Sequence, residues 1–201
     1  MKKFIMTCPF QPEGALRPTA YEVSGNSTLQ YGETRFPIIP VINAYVNEGD
    51  EAQVIIIEAD NSNVPHNIGL FEEELSALEK KKNISLKRKM VKTAYSENIN
   101  TQLKLFSDLV ECISDGDMLY ICNTFGTKPT PIIENMAAKY AAKAMDNVTV
   151  ECVVYGQMDH VLHKSILFDI TALLYVENAA DSLARMKVKD PAEGIRRMLD
   201  L

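Results

Sequence analysis

Short apolar runs rich in branched residues alternate along this chain with longer stretches of helical periodicity, and that alternation restricts the fold more than any other feature. A strand followed by an amphipathic helix and then another strand must cross back over its sheet. Its strands therefore run parallel and its helices cover the faces. Five strands are predicted, over residues 3–8 (KFIMTC), 53–58 (QVIIIE), 85–91 (SLKRKMV), 118–123 (MLYICN) and 148–155 (VTVECVVY). Helices are predicted over 37–46, 69–81, 98–114 and 131–145. The third carries Ile99, Leu103, Phe106, Leu109, Val110 and Ile113 on one face, and the fourth opens with Thr130 as N-cap and Pro131 at the first helical position. A proline beyond the first turn removes a backbone donor, which moves the expected start of the first helix toward Pro40.

Residues 161–168 fit either a sixth strand or the start of a helix. Residues 171–186 read as helix, and an Asp190-Pro191 break precedes a last short helical segment. The expected fold is α/β: a Rossmann-like, doubly wound, mainly parallel sheet with helices on both faces. It covers residues 1–177, with 178–201 a short helical extension. The polar stretch 11–34 is the longest irregular segment and is a candidate lid.

Several function classes are disfavoured. No segment approaches the roughly 20 apolar residues of a membrane helix, and the first ten residues hold too short an apolar run for a secretory signal, so a cytoplasmic location is expected. Cys8, Cys112, Cys122 and Cys152 lack the C-x-x-C spacing of a zinc site and sit in apolar runs, which points away from a metal or disulfides. A net charge of −6 argues against broad DNA binding, though not against one small anion in a locally positive pocket.

The segment 117–131 (DMLYICNTFGTKPTP) runs from a buried-type strand through a small polar turn into a helix. Gly126 allows close backbone approach, Thr124, Thr127 and Thr130 offer hydroxyls, Lys128 offers a cation, and the helix start offers free amides. This suits a phosphate or ribose; the plainer alternative is a strand-to-helix turn with capping threonines. In a doubly wound sheet the first and fourth predicted strands are neighbours, and ligands bind beyond their C-terminal ends. Those ends are Thr7, Cys8, Pro9, Phe10 and Gln11 on one side and Asn123, Thr124, Phe125, Gly126, Thr127 and Lys128 on the other. Neither contains G-x-G-x-x-G or a Walker lysine motif, which disfavours an ordinary dinucleotide or P-loop enzyme.

The order of a first strand and loop, Tyr21 and then Thr34-Arg35-Phe36 entering a helix, a strand within 51–60, and a strand ending Asn123-Thr124-Phe125-Gly126-Thr127-Lys128-Pro129-Thr130-Pro131 resembles the CRISPR-associated Rossmann fold (CARF) domain of Csx/Csm-type ribonucleases. That family's motif reads Asp-(Ile/Leu/Val)-Thr-x-Gly-x-(Arg/Lys)-x-x-Pro. Asn123 stands near the acidic position, while Thr124, Gly126, Lys128 and Pro131 match. Cys8-Pro9-Phe10-Gln11 replaces the Gly-Thr-type turn often found after the first strand.

The resemblance implies a homodimer that binds a cyclic oligoadenylate second messenger, most simply cyclic tetra-adenylate, across its two-fold axis, with no cofactor. Lys128 and Thr127 would face phosphates, and Phe10, Gln11 and Asn123 adenine or ribose. An alternative is a metal-independent ring nuclease, in which the ribose 2′-hydroxyl attacks the adjacent phosphate and leaves a 2′,3′-cyclic phosphate. Lys128, Thr127 and Thr124, with Thr7, would then be the catalytic candidates. A more remote alternative is an unrelated nucleotide-dependent transferase or hydrolase. The residues after Glu177 are too few for an effector domain and lack the Arg-x4-His signature of HEPN ribonucleases, so a stand-alone sensor, a ring nuclease or a partner for a separate effector chain is expected.

Four weaker signals have plain readings. Asp159-His160-x-x-His163 falls short of a metal ligand set. The basic runs 80–82 and 87–89 follow Glu72, Glu73, Glu74 and Glu79 and read as a solvated helix end. Asp169 and Thr171 read as helix caps, and Met118, Met136, Met145 and Met158 as core fillers.

Overall fold

The structure is a computed structural model and describes residues 1–159 and 164–199. It divides into two compact units, Met1–Asp169 and Ile170–Leu201. In chain order the first unit holds β1 (Lys2–Thr7), β2 (Thr19–Ser24), a 3-10 turn (Ser27–Leu29), β3 (Glu33–Thr34), α1 (Ile38–Tyr45), β4 (Ala52–Ala59) and α2 (Val64–Lys82). It continues with β5 (Leu86–Thr93), α3 (Ile99–Val110), β6 (Met118–Cys122), α4 (Thr130–Ala144), β7 (Thr149–Asp159) and β8 (Lys164–Asp169). The second unit holds α5 (Ala172–Met186) and α6 (Pro191–Leu199), so the expected boundary after residue 177 falls inside a helix.

The strands form one sheet in the order β3-β2-β8-β7-β6-β1-β4-β5. From β5 to β7 every neighbouring pair is parallel, β8 runs antiparallel to β7, and β2 pairs parallel with β8. The chain leaves β1 toward β4 and β5, then returns to the other side of β1 as β6. This is the expected doubly wound α/β sheet, with its winding reversing between β1 and β6.

Alternation along the central strands sends side chains to two cores. Phe4, Met6 and Cys8 join Val54, Ile56, Tyr120 and the apolar faces of α1 and α2, including Ile38, Ile42, Phe71 and Leu75. Ile5, Ile55 and Ile57 meet Leu105 and Leu109 of α3 and Ile133 and Ala137 of α4. Phe4 stacks on Tyr120 across the β1/β6 pair, ring centroids 4.6 Å apart.

At the opposite, N-terminal edge of the sheet, Lys3 forms a buried ion pair with Asp117 at 2.9 Å. Asp117 also accepts the Ser114 N–H at 2.7 Å, and Lys3 also donates to the Cys112 carbonyl. The run 80–82 is the expected end of α2, whereas 87–89 lies in β5 and is no helix end: Arg88 there is paired with Glu79 at 2.7 Å and Glu72 at 3.1 Å on α2.

Several elements differ from expectation for identifiable reasons. The stretch 11–34 contains β2 and β3, which lengthen the sheet beyond β8. Residues Thr19, Tyr21 and Val23 are half-buried while their neighbours are exposed, the period-two pattern of an outer strand. Helix α1 starts at Ile38, which makes Pro40 its third residue, where the backbone N–H has no intrahelical partner to lose. Helix α4 starts at Thr130 with Pro129 at the cap position and no side-chain capping bond, and Thr171 likewise makes no capping bond to α5. Asp169 accepts from the Asn26 amide at 2.8 Å. Residues 164–169 resolve the sixth-strand alternative, whereas His160 and His163 lie outside the described residues. Met136 and Met158 are 50% and 46% exposed and are not core fillers.

Candidate functional site

The side-chain alternation of β1 separates Thr7 from its neighbours. Thr7 follows Ile5 onto the α3/α4 face, where its hydroxyl donates to Glu134 Oε1 of α4 at 2.8 Å. Glu134 is fully buried. Burial pushes its carboxyl up to about 8 against the lowering effect of the Thr7 bond, and Oε2 has no partner among the described residues. Cys8 follows Met6 onto the other face. Burial first, and then the charge of Glu58, pushes its thiol up to about 12, and burial does the same to Cys122, so neither is a thiolate nucleophile near neutral pH.

The loop after β1 is fastened from α2. Asn67 donates through its amide to the carbonyls of Pro9 and Gln11, both at 2.9 Å, and Asn63 donates to the Phe10 carbonyl at 3.0 Å. Buried carbonyls of an irregular segment are thereby satisfied, which holds Gln11 in place.

The turn after β6 is fastened to β7. Asn123 donates its backbone N–H to Val154 at 2.9 Å, and the Thr124 hydroxyl accepts the Gly156 N–H at 2.8 Å. A Cβ on Gly156 would lie 2.6 Å from Pro37 Cγ, so only glycine permits this approach. Gly126 has φ +112°, and a Cβ there would lie 2.9 Å from Thr130 Cβ. The Thr127 and Thr130 hydroxyls are 3.0 Å apart and hydrogen-bonded, which closes the turn onto α4. Gly126→Ala is therefore expected to cost about 1–3 kcal/mol, measured as a lower urea midpoint at unchanged m-value.

Two spaces open at this edge. Thr7, Phe10, Gln102 and Thr127 line a crevice of about 10 Å³, room for about one water. Gln11, Arg17, Tyr21, Arg35, Thr124 and Phe125 line a cleft of about 240 Å³. The two loops expected to form the site thus meet at one cleft, through Gln11 from the first and Thr124 and Phe125 from the second. Thr7, Phe10 and Thr127 belong to the crevice, Cys8 and Asn123 are buried, and Lys128 is exposed and does not line the cleft.

Arg17, Tyr21 and Arg35 were not among the site candidates: Arg17 and Tyr21 lie in the stretch 11–34, which reads as a loop unless the alternation of Tyr21 and Val23 is recognised as a strand, and Arg35, at the entry to α1, carries no site signal of its own. None of the described residues lining the cleft is acidic. Burial raises the Tyr21 hydroxyl further above its ordinary value, so it remains a neutral donor.

A second surface lies on α3 and α4. Ile99, Leu103, Ile132, Met136 and Tyr140 are each at least half exposed, and their four-residue spacing aligns them in two parallel stripes. Phe106 and Tyr140 join the stripes edge to face at 5.9 Å. Among the described residues, no group of three or more His, Cys, Asp or Glu is placed to hold a metal ion, and no helix is long and apolar enough to cross a membrane.

Compared with known proteins, the sequence matches no family model and no curated protein.

Proposed function

We propose that this chain is a CARF-like sensor that binds a cyclic oligoadenylate, cyclic tetra-adenylate foremost, between two copies of itself. The observation that carries this reading is the cleft at the β1/β6 switch point, where Gln11 meets Thr124 and Phe125. Wound sheets bind nucleotides at this position. The lining suits an adenylate: Phe125 and Tyr21 offer aromatic surface for a base, the Gln11 amide offers the acceptor and donor that adenine's edge requires, and two arginines offer positive charge.

Size argues for two copies. A cleft of about 240 Å³ is smaller than the roughly 300–1,000 Å³ of ordinary small-molecule sites, so one protomer accommodates about one nucleotide, and two clefts hold two of the four nucleotides of a tetra-adenylate ring, the other two lying between them. A dyad repeats the cleft and matches the symmetry of a cyclic ligand. The exposed apolar stripes of α3 and α4 offer apolar surface for contact between copies. A sensor of this kind works in the cytoplasm and signals to an effector chain.

The test is to incubate purified protein with radiolabelled cyclic tetra-adenylate in the absence of metal and to separate bound ligand from products. Retention of an intact ring supports the sensor. Linear products ending in 2′,3′-cyclic phosphate assign the site to ring cleavage instead, and failure to retain or convert the ring rejects both.

A further inference from the structure

The cleft contains an arginine whose hydrogen-bonding capacity is only partly used. Glu74 of α2 accepts from the Thr34 hydroxyl, from the Arg35 backbone N–H at 3.2 Å and from Arg35 Nη1 at 2.8 Å. Those three donors fix the carboxylate, and the carboxylate fixes the guanidinium. A guanidinium is a rigid fork with two edges able to take a pair of oxygens, one formed by Nη1 and Nη2 and the other by Nε and Nη2. Glu74 occupies only the Nη1 corner. Nε is buried without a partner, and Nη2 makes no hydrogen bond among the described residues. A buried donor left unpaired in a native structure needs an explanation, and a ligand that completes it is a direct one.

We infer that Arg35 receives a phosphate of the cleft's ligand on its Nε/Nη2 edge, two oxygens against two donors. The inference rests on the nucleotide reading of the cleft and changes where the principal cation lies. Lys128, which the motif in the turn after β6 singles out, is exposed and outside the cleft lining. Arg17 lines the cleft but is exposed, its Nε reaching only the Gly14 carbonyl at 3.4 Å. Arg35 alone combines a position in the cleft with a side chain held in advance by an ion pair, and a preset planar fork binds a phosphate with geometry that a lysine's single ammonium does not reproduce.

The experiment is a titration of the full chain with cyclic tetra-adenylate at about 50 and 200 mM salt, using the parent, R35Q, R35Q/E74Q and K128Q, each first checked for cooperative thermal unfolding. The double variant guards against misfolding, because it removes the carboxylate that R35Q leaves without its partner. Loss of a charge-assisted contact is expected to weaken ring binding by about 10- to 100-fold in R35Q and in R35Q/E74Q, and to flatten the salt dependence. K128Q is expected to stay within about threefold of the parent, as befits an exposed charge outside the cleft. A folded R35Q/E74Q that binds within about twofold of a ring-binding parent, with the parent's salt dependence, overturns the assignment of Arg35 and leaves the sensor reading standing. A parent that binds no ring overturns both.

Discussion

Glu134→Gln is expected to stabilise the protein by about 2–4 kcal/mol at pH 8 and to destabilise it by about 1–3 kcal/mol at pH 4.5. Burial raises the carboxyl of Glu134 from its ordinary 4.5 to about 8 in the folded chain. Below pH 4.5 the folded and unfolded chains both carry the proton, and the group contributes no pH dependence. Between 4.5 and about 8 the unfolded chain releases the proton while the folded chain retains it, so stability falls as pH rises and levels off above the folded value. At about 1.4 kcal/mol per unit, the penalty reaches about 5 kcal/mol. Glutamine has no proton to lose and keeps an oxygen for the Thr7 hydroxyl; its unpaired amide donor costs about 1–3 kcal/mol, which reduces the net gain. Urea midpoints of both proteins across this pH range check the prediction, and equal slopes for parent and variant would contradict it.

Asp117→Ala is expected to destabilise the fold by about 3–5 kcal/mol. The side chains of Lys3 and Asp117 are 8% and 4% exposed, so removing the carboxylate strands a buried ammonium beside one carbonyl. The exposed pair Lys104–Asp108, in which the lysine side chain is 71% exposed, is the internal control: Asp108→Ala is expected to cost under about 0.5 kcal/mol. Replacing both members of the buried pair by apolar residues of similar size should recover most of the loss, because desolvation of the two charges offsets much of their attraction. Chemical denaturation of the three variants and the parent reads these differences directly.

The main architecture was legible because the central strands obey two strong signals. Residues 54–57 and 118–122 are continuous apolar runs of the length of a strand buried on both faces, and the segments between strands carry helical periodicity. Even the basic 85–91 run was correctly read as a strand, now β5. The segment 11–34 was harder, since Gly14, Pro18, Gly25 and Gly32 punctuate it and β3 is only two residues long. Of its strands, β2 forms by pairing with β8, a contact more than 100 residues away in sequence that local pattern does not report, and β3 pairs in turn with β2.

The candidate site was legible as a place, less so as a set of residues. Strand topology located the meeting of the two loops, and Gln11, Thr124 and Phe125 lie together there. Alternation then turned Thr7 toward Glu134 and Cys8 into the opposite core, a division that follows from period two once the sheet faces are known. Glu134 left no sequence mark as a buried acid, because an acidic residue inside an amphipathic helix ordinarily reads as surface. Arg35 became visible as a site residue only when Glu74 and the cleft were seen around it.

The most direct measurement is native mass spectrometry of the protein with and without cyclic tetra-adenylate. The expected spectrum is a dimer carrying one intact ring, with no species holding one ring per protomer. A protein that stays monomeric, or binds the ring with one-to-one stoichiometry, contradicts the claim that two switch-point clefts share a single cyclic ligand.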